Sequence, residues 1–208
     1  LTATMPKSVT AQTGFDAFCH NFEAYLSVNT NPLVEVMALE AIRIINENLP
    51  KVLEDGSNME ARSQMAWADT LGGLTNSNAG VTLPHGLGMQ VGGHCPQVTH
   101  GQALAAFYPA FTRYTYPTAI EKFATVGRIL NSELCGLDNV AAAKQCCEEI
   151  DKFLQRIGLW IGYSELGVSM EDIREISDCG QVLGDYLNNP RVATIDEMYE
   201  LLISCYQR

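Results

Sequence analysis

Histidine is scarce and unevenly placed in this chain of 208 residues: it occurs at positions 20, 85, 94 and 100, and none follows His100. Positive charge is short as well. Thirteen Lys and Arg against 24 Asp and Glu leave a formal net charge of -11. That argues against nucleic acid or an anionic membrane as a partner, since both need a basic face. No apolar run reaches about 18 residues, so no membrane-spanning helix is expected. The start, Leu1-Thr2-Ala3-Thr4-Met5-Pro6-Lys7, lacks an initiator Met and the charged-then-apolar layout of a signal peptide, so the chain reads as a processed product or an excised piece. The seven cysteines are odd in number and form no CxxC pair, and Cys146 and Cys147 are adjacent. A disulfide framework is not expected; reduced thiols and a cytoplasmic location fit better. No glycine-rich strand-to-helix turn is present, so nothing is built to cradle a dinucleotide pyrophosphate.

Apolar residues, by contrast, are plentiful at 47%, with 18% charged, the balance of a globular domain. Their spacing is helical almost throughout. Phe15, Phe18, Cys19, Phe22, Tyr25 and Leu26 follow a three-four rhythm. Asn31-Pro32 reads as an N-cap with Pro in the first helical turn, opening a helix through Leu49 that stops near Asp55-Gly56. Met59 to about Leu74 predicts a third helix, followed by a polar break over 76–80. Pro84 starts a short piece that Gly92-Gly93 ends, and Thr99 to about Tyr114 resumes. Pro117 to Leu130 and Asn139 to Ile157 predict two more. Ser169 with Asp172, and Thr194 with Glu197, are capping boxes that begin two short final helices. With no βαβ alternation and no repeat, the expected fold class is all-α, one domain over 1–208.

The histidines are patterned. His20 closes Asp16-Ala17-Phe18-Cys19-His20, and His85 and His100 open the similar phrases His85-Gly86 and His100-Gly101. Residues four apart on a helix share a face with Cβ atoms roughly 5–6 Å apart, so Asp16 and His20 can chelate one ion. His85 and His100, each at a helix start, are candidate third and fourth ligands. Three neutral imidazoles and a carboxylate around a divalent ion leave a coordination position open, as catalytic metals require. The set suits Fe2+ or Zn2+. The plainer alternative also stands: Asp-x-x-x-His occurs on many helices, and a His after Pro often caps a helix or makes a buried hydrogen bond. Cys19 and Cys95 adjoin the candidate ligands and are read as lying outside the set.

Taken with these residues, the chain resembles the C-terminal helical domain of the iron-containing (group III) alcohol dehydrogenases. The likeness is carried by Thr13-Gly14-Phe15-Asp16-Ala17-Phe18-Cys19-His20, Glu23-Ala24-Tyr25, Asn78 to Gly80, His85-Gly86, His100-Gly101 and Asn189-Pro190-Arg191 leading into Thr194. It runs over essentially the whole chain in one order. The resemblance implies the helical half of the dehydroquinate synthase-like fold, without the N-terminal α/β nucleotide domain, which is missing from this chain. It implies Asp16, His20, His85 and His100 as metal ligands and an NAD(P)-dependent alcohol or aldehyde oxidoreductase. There the metal would polarise the alcohol or carbonyl oxygen of a small substrate for hydride transfer to or from nicotinamide. The isolated domain would be inactive without its nucleotide-binding half, and a homo-oligomer is in keeping with such relatives.

Two positions depart from the pattern. Many members carry a further histidine four residues after the third ligand, where this chain has Met89, which cannot relay a proton. The interval from His85 to His100 is one residue longer than in many relatives and contains His94, a candidate substitute relay or an ordinary loop histidine. Asn78 and Met89 are candidate residues lining the cofactor cleft; Asn78 could equally cap a turn. The alternatives in function are a non-catalytic helical metal-binding or interaction module, and a related dehydratase or transhydrogenase.

Overall fold

The computed structural model describes residues 2–208, and every regular element among them is helical. Nine α-helices follow in order: α1 (Lys7–Leu26), α2 (Pro32–Glu54), α3 (Met59–Ala79), α4 (Leu83–His94), α5 (His100–Thr115), α6 (Ile120–Leu130), α7 (Asn139–Arg156), α8 (Met170–Asp178) and α9 (Ile195–Ser204). Short 3-10 turns fill several connections, including Tyr116–Thr118 and Gly184–Asn188. No helix is long and apolar enough to cross a membrane.

Helix α1 lies at the centre, packed against α2, α3 and α5. Its apolar stripe explains why. Phe15, Phe18 and Phe22 are fully buried, and their rings meet Tyr108 of α5, Phe123 of α6 and Phe153 of α7. Centroid separations of 5.1 to 5.5 Å across these three joints are normal for offset and edge-on aromatic pairs, each adding about 0.5–1.5 kcal/mol beyond burial. One continuous buried cluster thus reaches from α1 to Leu202 of α9.

The expected helix starts and stops hold where a cap marks them. Asn31 Oδ1 accepts from the backbone N–H groups of Leu33 and Val34, and Pro32 opens α2. The Ser169–Asp172 and Thr194–Glu197 boxes are both formed.

Four boundaries differ from expectation. Helix α1 begins at Lys7, a full two turns before Phe15, because Thr10, Ala11 and Gly14 are also packed inward. Helix α3 continues through the expected break to Ala79. There Ser77 Oγ donates to the Gly73 carbonyl and Asn78 Nδ2 to that of Leu74, so these short polar side chains bond back into their own helix instead of opening it. Only Gly80, at φ +71, turns the chain out. Gly92-Gly93 does not stop α4, which runs on to His94. Pro117 sits in a 3-10 turn, and α6 starts later, at Ile120.

Candidate metal centre

Asp16 and His20 stand one turn apart on α1, and Glu23 continues the same face a turn further on. Above them the chain arrives twice from loops. At the α3–α4 link, the Thr82 backbone N–H donates to Glu23 Oε2 at 2.9 Å, which ties the start of α4 to α1. His85, on the first turn of α4, is thereby aimed at Asp16. At the start of α5, the Thr99 N–H donates to Gln102 Oε1 at 3.1 Å, closing one side of a cap. The next residues bring α5 hard against α1. A Cβ on Gly101 would stand 2.6 Å from the Gln12 carbonyl oxygen, so only glycine permits this crossing, and with it the position of His100.

The four expected ligands converge. Asp16 Oδ1 lies 3.3 Å from His85 Nε2, 3.6 Å from His100 Nε2 and 3.8 Å from His20 Nε2. Asp16, His20 and His85 offer ligand atoms that all lie within 4.8 Å of one another, and His100 approaches through Asp16. The rings of His20 and His85 stack at 4.7 Å, and those of His85 and His100 are 5.2 Å apart. Four N and O ligands about 2.1 Å from one ion in a tetrahedron are separated by about 3.4 Å. The measured separations from Asp16 fall close to that edge length.

Two atoms in this cluster are buried with no hydrogen-bond partner: Asp16 Oδ1 and His85 Nε2. They face each other, yet make no aligned hydrogen bond. The reason is on the far side of the ring, where His85 Nδ1 lies 2.9 Å from Glu23 Oε1. A carboxylate accepts, so Nδ1 carries a proton, and in the neutral imidazole that metal ligation requires Nε2 presents its lone pair towards Asp16. An anion and a lone pair placed head to head, both atoms buried, fit a cation between them.

The electrostatics agree. Burial works to lower the His85 pKa, but Glu23 and Asp16 outweigh it and raise it to about 10. Burial likewise works to raise Asp16, and the close approach of His85 with the charges of His20, His85 and His100 leaves it below the usual carboxylate value. His100 is lowered, by burial first, with its histidine neighbours adding to the effect. The pocket therefore stabilises positive charge beside Asp16, which a divalent ion supplies more strongly than a proton.

The remaining candidates lie elsewhere. His94 ends α4, nine residues past His85, hence about 13 Å along the axis and on the opposite face. Its Nδ1 lies 2.9 Å from the Gln90 carbonyl, and Asp172 of α8 is its charged neighbour. The fold does not bring it to the cluster. Met89 stands one turn after His85 on the same side and is 44% exposed. Asn78 is exposed on the last turn of α3, its amide bonded to Leu74. Glu23 escaped notice in the sequence as a site residue. Its signal was an acidic residue seven after Asp16, set among Phe22, Ala24, Tyr25 and Leu26, where a solvated charge would be out of place.

Comparison with known proteins agrees with this architecture. Residues 10–206 match the model of the Fe-containing alcohol dehydrogenase family, C-terminal region. The chain is 32% identical over 203 residues to the NAD-dependent methanol dehydrogenase of Bacillus methanolicus, covering 95% of this chain and 51% of that protein. It is 33% identical over 193 residues to the 1,3-propanediol dehydrogenase of Klebsiella pneumoniae, covering 93% and 50%. A crystal structure of a 1,3-propanediol oxidoreductase superposes with a TM-score of 0.94 at 31% identity, over 98% of this chain and 53% of that one. The chain thus spans about half the length of the relatives it matches.

Proposed function

Because this chain belongs to the Fe-containing alcohol dehydrogenase family, we propose that Asp16, His20, His85 and His100 hold a divalent metal, Fe2+ or Zn2+, for an NAD(P)-dependent alcohol dehydrogenase or aldehyde reductase. The observation that carries this reading is the pair of buried, unpartnered atoms, Asp16 Oδ1 and His85 Nε2, with two further imidazoles around them. When bound there, the ion supplies Lewis acidity to an alcohol or carbonyl oxygen, the polarisation that hydride exchange with nicotinamide needs.

The chain's own residues account for the rest. Asp16 and His20 form a rigid base on α1, while His85 is buried behind them. His100 is 39% exposed at its side chain, so the centre opens towards that side, where a small alcohol or aldehyde can approach. Met89 offers an apolar wall there and cannot carry a proton, which leaves exchange to water or to substrate. Asn78 and Met89 are the residues we place along the cofactor cleft. The nicotinamide itself would come from a dinucleotide-binding region outside these 208 residues, consistent with relatives of about twice the length. The names of those relatives favour short-chain alcohols and their aldehydes.

The test is metal analysis together with NAD(P)H-dependent reduction of short aldehydes by the longest natural form of the protein. Stoichiometric metal and turnover, both lost in His85→Ala and His100→Ala, are expected. Retention of metal and activity in those variants overturns the reading. Metal without turnover in any natural form leaves a non-catalytic metal-binding module.

A further inference from the structure

We propose that Glu23 is a positioning residue for this centre, one that holds His85 as its Nδ1–H tautomer and supplies the second negative charge facing a bound dication. The inference rests on the metal reading above. Glu23, on the last turn of α1, has no solvent exposure at all, an uncommon fate for a carboxylate. Four donors converge on it. Oε1 accepts from His85 Nδ1 at 2.9 Å and from the Tyr108 hydroxyl at 3.4 Å. Oε2 accepts from the Thr82 backbone N–H at 2.9 Å and from the Thr82 hydroxyl at 3.3 Å.

The Thr82 N–H decides the direction of the whole array. A backbone N–H can only donate, so Glu23 is an acceptor at the start of α4, and its other oxygen is left to take the His85 proton. That fixes the Nε2 lone pair on the side of Asp16, where Nε2 has no other partner. The four donors account for an acceptor at this place, while the full charge on it carries the cost of desolvation. Beside a dication the cost is offset. Asp16 and Glu23 together balance two positive charges, and the three imidazoles then remain neutral, as metal ligation requires.

Titration of the 208-residue chain with Zn2+, by chelator competition, and with Co2+, by its visible spectrum, tests the proposal. Glutamine keeps the shape of Glu23, but with one oxygen it cannot accept from both His85 and Thr82. Glu23→Gln is therefore expected to bind Zn2+ about 10–100-fold more weakly, with a shifted Co2+ spectrum, and Glu23→Asp to recover part of the loss. Nitrogen-detected spectra of the Zn2+-loaded wild type give a readout that needs no variant: His85 should be protonated at Nδ1, with a strongly deshielded proton. Wild-type affinity and an unchanged Co2+ spectrum in Glu23→Gln, or a His85 Nδ1 proton without that deshielding, would overturn the role of Glu23 while leaving the metal reading intact. Failure of the wild-type chain to bind either metal would overturn both.

Discussion

Two acidic clusters in this molecule look alike in composition and behave in opposite ways. In the first, Asp151 of α7 is buried and meets Arg113 of α5, with Nη2 at 2.6 Å and Nη1 at 3.3 Å. Glu148 adds a second carboxylate at 3.0 Å from the same guanidinium. The fork of a permanently charged arginine answers both oxygens of Asp151, and the cluster is complete without anything from outside. In the second, Asp16 faces three imidazoles and no fixed cation, and its Oδ1 is left without a partner. A carboxylate that meets arginine closes a joint between helices; one that meets only imidazoles keeps an oxygen without a hydrogen-bond partner. That difference, more than burial or acidity, separates the structural ion pair from the proposed metal site.

The largest expected effect lies on the open cluster. His85→Ala should weaken Zn2+ or Fe2+ binding by more than the roughly 100-fold ascribed to an outer hydrogen-bond partner, as read by isothermal titration. Asp151→Asn should leave that affinity unchanged. Equal losses in the two variants would erase the distinction between the clusters.

Metal removal should separate them by stability. Metal at about 100 times its dissociation constant stabilises the folded state by about 2.7 kcal/mol. At about 2–4 °C per kcal/mol for a chain of this size, melting should rise by about 5–10 °C on loading and fall back with chelator. His85→Ala should abolish this shift, and Asp151→Asn should preserve it.

Gly101→Ala sharpens the comparison because it acts at the His100 end of α5, about 18 Å along the axis from Arg113. The new methyl collides with the Gln12 backbone, so α5 must shift away from α1. A loss of about 1–3 kcal/mol in urea unfolding is expected, together with weaker metal binding through His100. Unchanged affinity despite the lost stability would show that His100 contributes little to the site.

The smallest effect is expected from Asp151→Asn itself. Arg113 is 43% exposed, so water screens the pair, and the loss should be about 1 kcal/mol in the same unfolding experiment. A loss several times larger would mark this pair as a buried charge in its own right.

How much of this was legible beforehand differs by element. The aromatic stripe on α1 and the capping boxes of α8 and α9 lie within a few residues of one another, and local spacing reveals them. The pair Asp16 and His20 was legible for the same reason. The extension of α3 to Ala79 was not, because Ser77 and Asn78 signal a break by composition yet bond back into the helix. His94 shows the converse. Its place between two candidate ligands suggested the site, whereas nine residues of helix carry it to the opposite face and the far end.

Helical periodicity dictated an all-α chain with a carboxylate and an imidazole on one face of its first long helix, since both depend on the 3.6-residue turn alone. Which distant side chains would join them could not be written into local spacing. The tight crossing at Gly101, the Thr82 tether to Glu23 and the unanswered lone pair on His85 all arise where α1 meets α4 and α5. Those are meetings of helices some 60 to 90 residues apart, and their geometry is set by packing in three dimensions.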